Sequence, residues 1–307
     1  MKLPLTGIVP PMITPLRDRD KLDVAGLERL IEHLLDGGVN GLFILGTTGE
    51  GPALSYALRQ DLISRVCGQV KGRAPILVGI TDTAFMESVR VAGFAADSGA
   101  SAVVLAPPFY LPEAQPELQE YLDHLLPELP LPLFLYNMPA LTKVTFELDT
   151  IRKALTNERI IGFKDSSGDL GYFKAVRELI RQRPDWCLLI GPEEKLFDSL
   201  ELGGHGGVSG GANMFPKLYV KLVEAYRRGE VERARQLQQQ IQRVSDAIYR
   251  VGKHSSSIIK GIKCALACLG ICDDFMAEPF HRFRAGEREL IKARLKEIEA
   301  DLVKLNL

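Results

Sequence analysis

The 307-residue sequence carries 38 Lys and Arg against 39 Asp and Glu, for a formal net charge of -1 and a pI near 6.6. This balance gives no basic field to attract nucleic acid or anionic lipid, while the length suffices to bury a sizeable core. The opening stretch MKLPLTGIVPPMITPL is broken by prolines and Gly7 before it could serve as a signal-peptide core, and no apolar run approaches a membrane span. The expectation is a cytoplasmic protein with neither nucleic acid nor membrane as partner.

Short apolar, β-rich runs then recur along the chain. They are GIVPPMI from Gly7, GLFILG from Gly41, PILVGI from Pro75, SAVVLAP from Ser101, LPLFLYN from Leu131, IIGFKD from Ile160, CLLIG from Cys187 and GGVSGG from Gly206. Helix-like segments lie between them, such as LDVAGLERLIEHLLDGG and TAFMESVRVAGFAADSG, and several close on glycine, which suits a left-handed turn. Strands apolar on both faces and alternating with helices argue for a parallel sheet. Eight such units predict a (β/α)8 TIM barrel over residues 1–227. A doubly wound open sheet is the alternative, but no nucleotide fingerprint supports it. Past Arg227 the strands stop, and helical stretches around 230–250, 255–270 and 286–305 predict a C-terminal helical extension over 228–307.

Five cysteines and five histidines are spread along this frame. Cys264, Cys268 and Cys272 recur every four residues among alanine and leucine, a pattern of helix packing in which free cysteine acts as a small hydrophobe. The histidines show no ligand spacing. No metal and no organic cofactor are expected.

The sixth run ends unusually, on Lys164. Residues alternate in direction along a strand, so if Phe163 and Asp165 face the helices, Gly162 and Lys164 face the barrel interior. Active sites of this fold lie at the C-terminal strand ends, where Lys164 stands. An amine in apolar surroundings loses its charge more readily, and a neutral lysine attacks carbonyl carbons to form Schiff bases. The fifth run ends on Tyr136, a phenol able to carry protons beside that amine. The second leads into GTTGEGP, whose glycines expose backbone N–H groups and whose Thr47 and Thr48 add hydroxyls, a nest suited to a carboxylate or phosphate. It lacks the G-K-[ST] ending of a nucleotide-binding P-loop.

Together GTTGE, PPFY, YNMPALT, GFKDSSGD and GGHGGVSGGAN resemble the dihydrodipicolinate synthase and N-acetylneuraminate lyase family, the class I pyruvate-dependent aldolases. The likeness runs from about Gly7 to Asn213, with the expected helical C-terminus beyond. It implies that Lys164 forms the Schiff base with pyruvate or a 2-oxo acid, that Tyr136 carries protons with Thr47 relaying, and that Thr47 and Thr48 hold the pyruvyl carboxylate. The same motifs imply that Ser166, Gly191 and Val208 surround the substrate. The resemblance also implies that Tyr110 reaches a neighbouring subunit's site, within a homotetramer built from two tight dimers.

Departures from the family pattern bear on the substrate. Synthases carry an arginine for the aldehyde partner's carboxylate where this sequence has Leu141. Glu193 and Glu194 stand where the lyases use an acidic pair on sugar hydroxyls, but Pro192 and Gly210 replace an aromatic residue and a serine. The preferred expectation is cleavage of an unphosphorylated 2-keto-3-deoxy sugar acid into pyruvate and a small aldehyde. N-acetylneuraminate lyase, dihydrodipicolinate synthase, a sugar-acid dehydratase and a non-enzymatic sugar-acid sensor are the alternatives.

Overall fold

In a computed structural model covering residues 1–307, all eight apolar runs form strands of one parallel sheet. These are β1 (Gly7–Ile8), β2 (Leu42–Ile44), β3 (Ile76–Gly79), β4 (Ala102–Leu105), β5 (Leu133–Asn137), β6 (Ile160–Asp165), β7 (Cys187–Ile190) and β8 (Gly206–Gly207). From β2 onward each pairs with the next, and β8 pairs back with β1. Between β1 and β2 the ring closes through backbone bonds. Phe43 N–H donates to the Pro10 carbonyl at 3.0 Å, and Met12 N–H to the Phe43 carbonyl at 2.8 Å. The architecture is a (β/α)8 barrel.

Outside it lie α1 (Val24–Asp36), α2 (Tyr56–Val70), α3 (Phe85–Asp97), α4 (Gln115–Glu128), α5 (Leu148–Ala154), α6 (Leu170–Ile180), α7 (Leu196–Glu201) and α8 (Pro216–Arg227). Local sequence sets their starts. Asp23, Ser55 and Asp169 each accept a backbone N–H in the first turn of α1, α2 and α6. Gly38 and Gly99, at φ 80° and 92°, turn the chain away after α1 and α3. Not among the predicted elements are a four-residue helix at Pro139–Thr142 and an antiparallel hairpin of Leu16–Asp18 with Lys21–Leu22. Strands this short carry too little apolar pattern to announce themselves.

Side-chain alternation divides the apolar residues into two layers. The interior of the barrel is filled by Val9, Phe43, Leu77, Val104, Phe134 and Leu189 with their neighbours. A larger outer layer packs the sheet's other face against the helices. After Arg227 come α9 (Val231–Tyr249), α10 (Ser257–Cys268) and α11 (Ala285–Lys304), whose Ile241, Val244, Ile262, Leu266, Ile291 and Leu295 join that outer layer. Cys264 and Cys272 are buried there, and burial pushes both thiols up to about 12. No helix is long and apolar enough to cross a membrane.

Candidate active site

Lys164 lies at the C-terminal end of β6 with its side chain 5 % exposed, inside the barrel. Register explains how it arrives there. Leu133 pairs with Ile160, but Phe134 pairs with Gly162, so a bulge at Ile161 shifts the strand by one residue. From that point Tyr136 lies directly beside Lys164, and Asn137 beside Asp165. Gly162 is needed one layer below: a Cβ there would fall 2.4 Å from the Phe134 ring. Phe163 and Asp165 point outward as expected. The Phe163 ring packs against Phe146 and Tyr172, with centroids 5.9 and 6.4 Å away.

The Lys164 amine sits 3.8 Å from the centre of the Tyr136 ring and 5.0 Å from that of Phe43. Its surroundings hold no buried carboxylate partner, and burial draws its pKa below that of an ordinary lysine. Burial would raise the Tyr136 phenol, but the charge of Lys164 and hydrogen bonds with Thr47 and Ser166 outweigh it, leaving the phenol more acidic than usual. The two groups therefore compete for a proton across a short gap. Tyr136 Oη stands 3.4 Å from Thr47 Oγ1, at the long end of hydrogen bonding.

Above them opens a cavity of about 200 Å³, whose walls include Phe43, Thr47, Thr81, Phe109, Tyr136 and Leu141. No charged side chain lines it. Lys164 borders a smaller void beneath, where Phe43 and Val104 wall both spaces and Val208 and Leu189 complete the lower one. A buried polar frame holds the strand ends outside the barrel. Asp165 accepts from Asn137 Nδ2 at 2.9 Å and from the Ser167 N–H and hydroxyl at 3.0 and 2.9 Å. Its carboxyl is raised by burial.

The remaining predicted residues divide into two groups. Thr47, Tyr136, Ser166, Val208 and Lys164 converge, and Leu141 stands 52 % exposed at the cavity rim. Gly191 leaves room for Ser166, whose Oγ would lie 1.9 Å from a Cβ there. Thr48 is half-buried on the same loop as Thr47. Tyr110 does not line this cavity within the single chain. It projects 96 % exposed from a left-handed backbone at φ 85°, while its neighbour Phe109 faces the cavity.

Glu193 and Glu194 also lie outside the cavity lining. Glu193 is buried and accepts from Gly211 N–H at 2.8 Å, Tyr219 Oη at 2.6 Å and Tyr249 Oη at 2.9 Å. Glu194 takes the Ser245 hydroxyl, and Gln238 Nε2 donates to both backbone carbonyls. The acidic pair therefore clasps α8 and α9, leaving few lone pairs for a sugar hydroxyl. Gly211 makes this possible, because a Cβ there would lie 2.0 Å from Tyr219 Oη.

Sequence reasoning missed Thr81, whose Oγ1 accepts the Ala106 N–H at 2.8 Å in the cavity wall, and the Asn137–Asp165 frame. The second had a signal. Two adjacent strands end in polar residues, YN and KD, one inward and one outward in each.

Residues 4–298 match the model of the dihydrodipicolinate synthetase family. The chain belongs to this family. Its members are class I pyruvate-dependent aldolases and lyases, and the chain is an enzyme of that type. It is 31 % identical to the 4-hydroxy-tetrahydrodipicolinate synthase of Methanopyrus kandleri, over 97 % of this chain and 98 % of that one. YagE of Escherichia coli, assigned as a 2-dehydro-3-deoxy-D-gluconate aldolase, is 32 % identical over 75 % of this chain and 76 % of its own. The structure of YagE with pyruvate superposes with a TM-score of 0.91 at 28 % identity, covering 96 % and 99 % of the two chains. A dihydrodipicolinate synthase structure from Bacteroides thetaiotaomicron is 54 % identical with a TM-score of 0.94, covering 97 % and 100 %.

Proposed function

We propose that this family member cleaves or forms an unphosphorylated 2-keto-3-deoxy sugar acid through a pyruvate enamine on Lys164. The observation that carries the reading is a buried amine without a carboxylate partner, packed against a phenol that reaches a threonine hydroxyl.

The chemistry follows from that arrangement. The neutral Lys164 amine adds to the C2 carbonyl of the 2-oxo acid, and loss of water leaves a protonated imine. Tyr136, as phenolate, takes the C4 hydroxyl proton, with Thr47 as relay. The C3–C4 bond breaks, its electron pair moves to C3 and into the iminium, and the aldehyde leaves. The enamine is protonated at C3, and water then hydrolyses the imine to release pyruvate and restore the amine. The GTTGE loop, with Thr47 and Thr48, holds the pyruvyl carboxylate. Ser166, Gly191 and Val208 shape the space around the imine.

Substrate choice rests on the walls of the cavity. With no cation among them and Leu141 at the rim, they suit an aldehyde without phosphate or carboxylate. Aspartate semialdehyde, the synthase partner, would bring its carboxylate to a leucine. Glu193 and Glu194 are engaged elsewhere, so the sugar's hydroxyls would meet Thr81, Tyr136 and backbone groups instead. In solution the assembly we propose is a homotetramer whose tight dimers cover Tyr110 and bring it to a neighbouring site.

Incubation with pyruvate and borohydride, followed by peptide mapping, should place one reduced pyruvyl group on Lys164. A panel of sugar acids assayed for pyruvate release should find its best substrate among unphosphorylated 2-keto-3-deoxy acids. A label elsewhere, or none, refutes the mechanism, and preferred turnover of a phosphorylated acid refutes the substrate class.

A further inference from the structure

A second lysine is buried more deeply than Lys164. Lys263, on α10, is 0 % exposed and pairs with Glu50, itself 3 % exposed, at the end of the GTTGE loop. The pair is bound to backbone on the extension's side. Lys263 Nζ donates to the Phe275 carbonyl at 2.7 Å, and Glu50 Oε2 accepts the Ala277 N–H at 2.8 Å. Residues distant in sequence thus grip the loop that carries Thr47 and Thr48.

That loop has a costly shape. Leu45 and Glu50, which bracket Gly46–Gly49, both take left-handed backbone conformations, at φ 59° and 56°. Side-chain-bearing residues adopt such angles only where their surroundings enforce them. Around Leu45 the packing is tight: a Cβ added at Gly51 or Gly79 would fall 2.2 or 2.5 Å from its carbonyl, so only glycine fits at both places. The carbonyl of Gly49 accepts from Thr14 Oγ1 at 2.6 Å. Glu50 is held by its backbone, whose N–H donates to the Thr47 carbonyl at 3.0 Å, and by its side chain, which forms one buried unit with Lys263 and Ala277.

We infer that Lys263 is a positioning residue for the pyruvyl carboxylate site, acting from the C-terminal extension through Glu50 to fix Thr47 and Thr48. The inference rests on the proposed imine chemistry and goes beyond it by giving the extension a part in binding the 2-oxo acid. Removing one charge leaves the other buried without a partner, so Glu50 relaxes and the hydroxyl pair is displaced. Lys164 and Tyr136 stand on strands that the ion pair does not touch, so imine formation persists at saturation, slowed by the displaced Thr47 hydroxyl but not abolished.

The test is pyruvate-dependent borohydride trapping on the full chain, read as a half-saturating pyruvate concentration and a rate at saturation. Lys263→Met should raise half-saturation by about tenfold to a hundredfold while the saturated rate, which also feels the Thr47–Tyr136 contact, falls by less than about tenfold. Glu50→Gln, which keeps an acceptor for Ala277, should shift half-saturation in the same direction and decides the matter if Lys263→Met fails to fold. Glu50→Gln combined with Lys263→Met should do no more than the larger single effect, the mark of one unit. Ile298→Ala, a cavity in α11, should lower the melting temperature without moving half-saturation. Half-saturation within about twofold of the unaltered protein in both single variants, or a shift in Ile298→Ala as large as theirs, overturns the inference and leaves the ion pair a purely structural device. Absence of label in the unaltered protein overturns the imine reading itself, and this inference with it.

Discussion

Glu193→Gln is the substitution that separates a structural acid from a sugar-binding one. Burial, then the nearby charge of Glu194, lifts the Glu193 carboxyl from 4.5 to about 7, although Gly211, Tyr219 and Tyr249 all donate to it. At about 1.36 kcal/mol per pH unit, that rise corresponds to about 3 kcal/mol. The folded state holds the proton more tightly than the unfolded state. The stability this group contributes is therefore fully present below about pH 4.5 and is lost as pH rises through about 7. Between about pH 5 and about pH 8 the loss is about 2.5 kcal/mol. Glutamine copies the protonated acid, its oxygen accepting from Gly211 and its amide facing the tyrosine oxygens. Urea unfolding at both pH values should show the variant nearly matching the parent at the lower pH and exceeding it by about 2 kcal/mol at the higher. Pyruvate trapping on Lys164 should stay within about twofold, and KM for the best sugar acid should hardly move. Parallel stability profiles for the two proteins would refute the account of the buried cluster. A large rise in sugar-acid KM would return Glu193 to the substrate.

Two further substitutions probe the chemistry. Tyr136→Phe should lower turnover by about 10²–10⁴, with imine formation also slowed, and a near-normal rate would remove the phenol from proton transfer. The unaltered protein should condense pyruvate with aspartate semialdehyde about two to four orders of magnitude more slowly than with its best uncharged aldehyde, for want of a buried charge partner. Leu141→Arg should narrow that gap, and synthase activity equal to every aldol reaction in the unaltered protein would overturn the substrate proposal.

How much of this was legible in the sequence depends on the range of the interactions involved. Strand spacing and Lys164 could be read locally, because apolar runs and their glycines repeat the same unit eight times. Direction was legible too: alternation correctly placed Gly162 and Lys164 inward, and the structure adds the bulge at Ile161 that brings Tyr136 level with the amine. What escaped were contacts between residues distant in the chain. Nothing near Glu193 announces Tyr219 or Tyr249, and nothing near Glu50 announces Lys263. An acidic pair at a strand end looks the same whether it faces a ligand or a helix. Position along the chain decides that a side chain is near the mouth; only packing decides which way it turns.

The layer of Phe134, Leu77 and Leu189 beneath Lys164 has a kinetic consequence. It makes the chamber a blind alley, reached from the mouth alone. On the proposed chemistry the part of the substrate tethered to the lysine is also the part lodged deepest, and the departing aldehyde stands between it and solvent. Release must therefore run last in, first out: the aldehyde leaves, water follows it inward, and pyruvate goes only after hydrolysis cuts its tether. In synthesis the queue reverses, with pyruvate obliged to arrive before its partner. An aldehyde that arrives first occupies the passage and blocks its own reaction, so excess aldehyde should inhibit by competing with pyruvate.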